Sequence, residues 1–421
     1  TAYINTTSST PLAFEINNLE AMRISADGTT DFSYPVSIDT INEKTSAAGV
    51  TIDGVLLKDG AIGSIASAVA AHLTSINGGQ IGGSRNLIIN GKFSIFQRGT
   101  GATTINGNDV FAADRFKGWA NGGGTYTVEQ STDVPNNEFE HSAKLTNTAT
   151  DGSVAAGDNY RWATDIEGYN VSQLAYGHSD AKAVTLSFWV KSSLAGTYCG
   201  GLYSTHATRH YIYEYTISSA NTWEKKTITV SSGDTTGSWN KTNGNGLRVY
   251  WGFGSGSNYQ GTAGAWTAGE KWETSNQAAW IGSASATFYI TGIQLEVGDV
   301  ATPFEHESYG ETLQKCERYF QRFVAGANYT GFSVAFSTSA TSAKATLKFN
   351  GKMRAAPTIS QSNTGFNYGP QVAFSSFNTL YTGLDTSWID MNIASVGSAG
   401  QLGIWNGNNN GAAYVQMSAE L

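Results

Sequence analysis

Segments in which apolar and polar residues alternate at a period of two recur along this sequence. Residues 183–190, Ala-Val-Thr-Leu-Ser-Phe-Trp-Val, put Val184, Leu186, Phe188 and Val190 on one side. Residues 226–230, 247–253 and 286–297 repeat the device. Only an extended strand aligns i and i+2 on a common face. Alternation sustained across residues 85–308 therefore predicts a sandwich of antiparallel sheets.

Composition supports a chain that is β-rich throughout. Charged residues make up 14% of the sequence, against about 25% in an ordinary soluble domain. The 49 glycines and the 12% aromatic content supply tight turns and side chains that fill pleated surfaces. The net charge of −8 argues against nucleic acid as a partner, which needs a basic footprint. It argues equally against electrostatic binding to a membrane surface. No apolar run is long enough for a helical membrane span, so no membrane insertion is expected. The apolar stretch 61–71 is short, lacks a basic leader and is not a signal peptide. Cys199 and Cys316 are expected to be free thiols, since a disulfide-stapled secreted scaffold would carry more cysteines.

Five segments follow from the pattern. Residues 1–60 hold short strands with few apolar residues, too few to fold alone; a shared oligomer core is the usual remedy. Within them, Asp53-Gly54 predicts a two-residue hairpin between residues 49–52 and 55–58. Residues 61–84 are read as a buried helix over 61–77 and a Gly-rich linker, with Ile62, Ile65, Val69 and Leu73 at near-helical spacing. Three copies of such a helix would bury one another. Residues 85–308 form the sandwich. Residues 309–323 predict a connecting helix, with Leu313, Cys316 and Phe320 on one face. Residues 324–421 return to strands and Gly/Asn-rich turns and predict a terminal β domain.

Several of these segments resemble a module found in bacteriophage tail fibres and other virion appendages. The signature opens with Arg85-Asn86-Leu87-Ile88-Ile89-Asn90-Gly91-Lys92-Phe93-Ser94-Ile95-Phe96-Gln97-Arg98-Gly99 and continues with Ala113-Asp114-Arg115-Phe116. It closes with Ile290-Thr291-Gly292-Ile293-Gln294-Leu295-Glu296-Val297-Gly298 and Ala301-Thr302-Pro303-Phe304-Glu305. The segment 310–320, Met353-Arg354-Ala355-Ala356-Pro357 and the stalk-like stretches 22–28 and 49–58 are similar to that family as well. The resemblance touches about half of the chain. It implies an N-terminal intertwined β stalk with a short helix, and a central jelly roll similar to carbohydrate-binding modules. It also implies a homotrimer, assembly with other virion structural proteins, a place on the virion surface in a tail or capsid appendage, and contact with host-surface polysaccharide.

Sugar recognition needs a flat aromatic face with polar groups at its rim, and loops on a rigid sandwich are the natural place for it. Trp239, Tyr259, Trp266 and Trp272 lie in polar, Gly-rich loops and are the stacking candidates; capping the sandwich or lining a subunit interface is the alternative for each. Trp251 shares the apolar face of its strand and is expected in the core. No cofactor is required. The resemblance admits a structural calcium ion, for which Asn90, Asp114 and Glu296 are oxygen donors in the matching motifs, although turn and strand-end hydrogen bonding is the favoured role. His206 and His210 suit a solvated or interface role better than zinc.

Enzyme signatures are missing. There is no Gly-x-Ser-x-Gly elbow, no His-Glu-x-x-His and no phosphate loop. A glycosidase needs only two carboxylates, but the coil repeat of fibre-borne depolymerases is not evident. Asp151, Asp158, Asp165 and Glu167, near Trp162, are read as a solvated or cation-binding loop. The sequence thus points to a non-catalytic adsorption protein. A decoration without a specific ligand, or a polysaccharide depolymerase, are the alternatives.

Overall fold

The computed structural model describes residues 11–17, 19–27, 29–33, 50–52, 55–58, 61–64, 84–369, 371–393 and 398–421. The chain is mainly β and divides into two compact units, Thr1–Leu73 and Thr74–Leu421.

In the first unit, β1 (Leu12–Ile16), β2 (Leu19–Ile24) and β3 (Thr30–Phe32) form one antiparallel sheet. A second holds β4 (Val50–Ile52), β5 (Val55–Lys58) and β6 (Ala61–Ser64). Ile52 pairs with Val55, the register that a two-residue Asp-Gly turn sets. The helix expected from residue 61 is corrected at its start: Lys58 pairs with Ala61 and Leu57 with Ile62. The four residues extend the β4–β5 ladder, a pairing that helical spacing cannot anticipate. The rest of that expected helix lies outside the described residues.

The second unit opens with the sandwich. Its strands are β7 (Thr103–Ile105), β8 (Val110–Phe111), β9 (Phe116–Asn121), β10 (Thr125–Ser131), β11 (Ser142–Ala149), β12 (Asn159–Glu167) and β13 (Val184–Ser192). They continue with β14 (Gly196–Ser204), β15 (Arg209–Ile217), β16 (Glu224–Val230), β17 (Asn245–Ser255), β18 (Trp266–Ala268) and β19 (Thr287–Val297). One sheet runs β16-β13-β19-β11-β10-β7 and the other β18-β15-β14-β17-β12-β9-β8, with antiparallel pairing. Val184, Leu186, Phe188 and Val190 of β13 face Leu247, Val249, Trp251 and Phe253 of β17 in one buried core. The inward face is the one that alternation selects.

The signature segments form a seam along this core. Leu87 N–H donates to the Leu295 carbonyl at 2.9 Å, and the Asn86 side chain donates to the Ile293 carbonyl at 2.9 Å. Asn86 N–H donates to Glu305 at 2.7 Å. Gly91 is required there, because a Cβ would meet the Ile293 carbonyl oxygen at 2.1 Å. Two segments about two hundred residues apart in sequence thus close the sandwich on each other.

Helix α2 (Tyr309–Glu317) follows, with a one-turn helix α1 (Gly168–Val171) earlier in the chain. Ser308 and Glu311 form a capping box that starts α2. The helix is shorter than expected: Phe320 begins strand β20 (Phe320–Val324). Alternation in Phe320-Gln321-Arg322-Phe323 prevails because these residues pair with β28 (Tyr414–Ser418). Strand β23 (Thr358–Ser362) completes this three-stranded sheet. Six further strands close a barrel: β21 (Gly331–Ser339), β22 (Ser342–Lys348), β24 (Gly365–Asn367), β25 (Gln371–Thr382), β26 (Thr386–Ile393) and β27 (Leu402–Asn406). Trp405, Phe366, Met391 and Ile389 fill its interior.

Charge pairs fasten these C-terminal elements to the sandwich. Glu420 is bonded to Arg115 and lies 3.2 Å from Arg98. Arg318 reaches Glu167 at 2.6 Å, and the Tyr319 hydroxyl donates to the same carboxylate at 2.6 Å. Cys199 and Cys316 are free and buried.

Candidate functional site

The loop between β17 and β19 carries β18 and three of the four aromatic candidates, Tyr259, Trp266 and Trp272. It leaves β17 at Ser255 and makes a short 3-10 turn, Ser257–Tyr259. Its later part is anchored by Asn147, whose side-chain amide donates to the carbonyls of Trp280, Ile281 and Ser283 at 3.1, 2.8 and 2.8 Å. Such a bridge fixes residues 280–283, which belong to no strand.

Beneath this loop lies a cleft of about 410 Å³ at the end of β12 and β17, lined among others by Asp151, Ser255, Gln260, Glu273, Thr274 and Gln277. The volume falls in the range of ligand pockets. Asp151 accepts from the Tyr160 hydroxyl at 2.7 Å. Gln260 donates to the Ser255 carbonyl at 2.9 Å. Gln277 accepts from Cys199 N–H at 2.6 Å and donates to the Ala278 carbonyl at 3.1 Å. Glu273 accepts from Gly254 N–H at 2.9 Å and is 1% exposed. Burial pushes its carboxyl up to about 8, with that N–H working in the opposite sense. At neutral pH the group is therefore mostly protonated. The cleft combines carboxyl, amide and hydroxyl groups, which suits a neutral, hydroxyl-rich ligand.

The four aromatic candidates fall into two separate clusters. Trp239 and Trp266 meet edge to face with centroids 5.5 Å apart, and Tyr176 packs against both at 4.8 and 5.4 Å. Trp239 is buried in the sandwich core, with its indole N–H donating to the Thr236 carbonyl at 2.9 Å. Its ring caps the core rather than standing open in the loop. Trp266, half-buried beside Tyr211 at 5.5 Å, keeps part of its surface in solvent.

Trp272 is fully buried, a correction to its expected exposure, and Tyr259 packs half-buried against the same cluster. The loop folds back so that Trp272 N–H donates to the Tyr259 carbonyl at 2.8 Å. Its ring then meets Tyr203 and Tyr250 on the outer face of the seven-stranded sheet. The Arg161 guanidinium lies 3.8 Å from the Trp272 centroid and 4.4 Å from that of Trp119. Burial, with neighbouring Arg248 adding to it, lowers that guanidinium to about 10. The ring face expected to take a sugar is occupied by a cation.

Asn90, Asp114 and Glu296 spend their oxygens on hydrogen bonds. Asn90 accepts from Ile95 N–H at 3.1 Å and donates to the Ile95 and Asp114 carbonyls. Asp114 accepts from the backbone and side chain of Gln97, each at 2.7 Å. Burial raises its carboxyl to about 6. Glu296 accepts from Thr302 N–H at 2.8 Å and from its hydroxyl at 2.7 Å. Among the described residues, no group of three or more His, Cys, Asp or Glu side chains is placed to hold a metal ion. His206 and His210 each face a backbone carbonyl, of Ser238 and Gly269.

Of the acidic residues near Trp162, Asp151 and Asp158 lie in a loop as expected, but Asp165 and Glu167 do not. Asn159–Glu167 is strand, and it sends Asp165 to Arg248 at 2.6 Å and Lys117 at 2.8 Å. Burial opposes the Asp165 charge, but Arg248 and Lys117 outweigh it and hold the carboxyl well below the usual range. Only Asp151, before that strand, reaches the cleft.

Two features went unread in the sequence. Glu273 is one, because its neighbours come from β17. The other is Tyr381 with Trp388, 6.1 Å apart and exposed on the barrel. Alternation offered a signal for Trp388: Ser387, Ile389, Met391 and Ile393 point inward, so Trp388 points out.

No known family model matches the chain, and no curated protein matches it. Similarity to solved structures covers about half of the sequence. The enzymatically active domain of bacteriophage CBA120 tailspike protein 4 matches at 12% identity and a TM-score of 0.28, over 51% of this chain and 21% of that one. The chain thus spans about a fifth of the tailspike's length. A family 11 carbohydrate-binding module from Clostridium thermocellum, solved with a mixed-linked tetrasaccharide, matches at 12% identity and a TM-score of 0.26, over 49% of this chain and 99% of the module. The N-terminal cellulose-binding domain of a Cellulomonas fimi β-1,4-glucanase matches at 8% identity and a TM-score of 0.23, over 44% of this chain and 90% of that domain.

Proposed function

We propose that this chain is a subunit of a virion appendage that holds host-surface polysaccharide in the Asp151–Glu273 cleft of its sandwich. The observation that carries the binding role is the cleft itself, where side-chain carboxyl, amide and hydroxyl groups converge under an anchored loop. Sugar hydroxyls both donate and accept, and a site of this kind offers both functions. The half-exposed Trp266 and Tyr259 rings are secondary platforms for a longer glycan. The place on a virion, trimeric assembly and contact with other virion proteins are what the resemblance of the signature segments implies. The test is calorimetric titration with polysaccharide from candidate host cells. Binding by the wild-type chain, weakened about tenfold or more by Asp151→Asn with Gln260→Ala, supports the reading; equal binding by both proteins refutes the site.

A second reading has one observation in its favour. A carboxyl held protonated at neutral pH in a cleft that also holds a second carboxyl, Asp151, is the equipment of a glycoside hydrolase. Glu273 instead faces the Gly254 backbone and is almost wholly buried, which favours holding over cleavage. Release of reducing ends by the wild-type chain, lost in Glu273→Gln, would reverse that preference.

A further inference from the structure

A second cleft, of about 420 Å³, lies where helix α2 meets the sandwich. Three segments wall it: residues 84–89 of the signature, the turn that runs from α1 to Leu174, and the end of α2 with the residues after it. The turn is pinned from within. Val171 and Leu174 are buried in the sandwich core. Gly168 and Tyr169 N–H groups donate to the Gly244 and Thr242 carbonyls, each at 2.9 Å. The volume is that of a ligand pocket, and the walls are set without a ligand.

Its chemistry is opposite to that of the Asp151–Glu273 cleft. Lys315 and Arg318 line it, and among the described residues no Asp or Glu does. Three positions apart at the end of α2, the two cations are neighbours on one side of the helix. Their carboxylate partners stand outside the cleft. Arg318 donates through Nε and Nη2 to Glu167 at 2.9 and 2.6 Å, which leaves Nη1 for a ligand. Glu167 is almost wholly buried, and Arg354 acts on it as well, so one acid answers two guanidiniums. Lys315 is bonded to Glu307 and donates to the Ser84 hydroxyl at 2.9 Å, and an ammonium has a third N–H to give. Glu311, one turn before Lys315, is committed to the Ser308 cap. Both cationic side chains stay partly in water, at 34% and 38% exposure.

The α1 side of the cleft supplies different groups. Tyr169 is 58% exposed, and Asn170 and Gln173 are exposed with it. A tyrosine ring offers a large flat face, and amides both donate and accept. We propose that this cleft binds an acidic sugar residue, its carboxylate between Lys315 and Arg318 and its ring against Tyr169. A carboxylate there gains charge-assisted hydrogen bonds from both cations. Fastening α2 to the sandwich accounts for the Arg318–Glu167 pair, but not for an exposed ring and two amides on the same hollow. The inference rests on the reading of this chain as a polysaccharide binder and adds a second site that selects for charge.

The experiment is calorimetric titration of the full chain at low salt. The probes are trisaccharides of galacturonic and of glucuronic acid, each as the free acid and as the methyl ester. Saturable binding of at least one acid, weaker for its ester by about tenfold or more, is expected. Lys315→Gln and Tyr169→Ala should each weaken the acid about tenfold or more, while Asp151→Asn/Gln260→Ala leaves its binding unchanged. Neither Lys315 nor Tyr169 is bonded to Glu167, so the pair that fastens α2 is kept in both variants. No binding of either acid, esters that bind as the acids do, or variants that bind as wild type does overturns the proposal. Titration with host polysaccharide separates the two sites. If host polysaccharide binds in the Asp151–Glu273 cleft and no uronate binds, the second site alone fails. If uronate binds and Asp151→Asn/Gln260→Ala has no effect on host polysaccharide, the first cleft alone fails.

Discussion

Gly252 lies directly beneath the Glu273 carboxyl: a Cβ at Gly252 would meet Glu273 Oε1 at 2.2 Å. Strand β17 therefore needs a glycine where the loop's buried acid rests on the sheet. Gly252→Ala forces the acid or the strand to move. A loss of about 1–3 kcal/mol is expected, read as a lowered urea midpoint, while Gly101→Ala, with open space around its Cβ position, should stay near wild type.

Glu273 also gives stability a pH dependence. Its folded-state value of about 8 stands above the ordinary 4.5, so the folded chain keeps a proton that the unfolded chain releases. Its contribution is full below pH 4.5 and declines as pH rises toward about 8. Asp114, raised from 3.8 to about 6, acts in the same sense over that lower window. Glu273→Gln should flatten the upper part of the profile. Melting temperatures of both proteins between pH 5 and pH 9, roughly the window of the shift, check this; parallel profiles would contradict it.

Trp272 and Trp266, alike in sequence setting, should behave differently. Trp272 is sealed between Tyr203, Tyr250 and Arg161, so Trp272→Ala should cost about 3–5 kcal/mol. Trp266 is only half-buried, and Trp266→Ala should cost less. Chemical denaturation of the two variants decides it.

Glu420 answers the buried Arg115 and neighbouring Arg98. Glu420→Gln leaves Arg115 buried without a charge partner, for which about 3–5 kcal/mol is the expected loss. An Arg115→Met/Glu420→Leu pair should recover much of it, and a double-mutant cycle measures the coupling.

Alternation placed β13, β17 and β19 and sorted Trp251 into the core, because a buried face at a period of two is written locally. The hairpin at β4–β5 was legible for the same reason. The start of β6 and the early end of α2 were not. In both places pairing with another strand prevailed over helical spacing, and pairing partners are not a local property. The same limit governed the site. Gly-rich loops made Trp239 and Trp272 stacking candidates, with capping of the sandwich as the alternative, and each loop folds back on the sheet and buries its ring. Glu273 carried no signal of its own, since its carboxyl is raised by burial against β17 at Gly252, a contact that no local pattern shows.

The most direct test is polysaccharide binding by the isolated chain, measured by calorimetry for wild type and for Asp151→Asn/Gln260→Ala. Saturable binding by wild type, weakened about tenfold or more in the variant while Trp388→Ala binds normally, is the expected result. Binding that survives in the cleft variant and is lost in Trp388→Ala would move the site to the barrel and contradict the account.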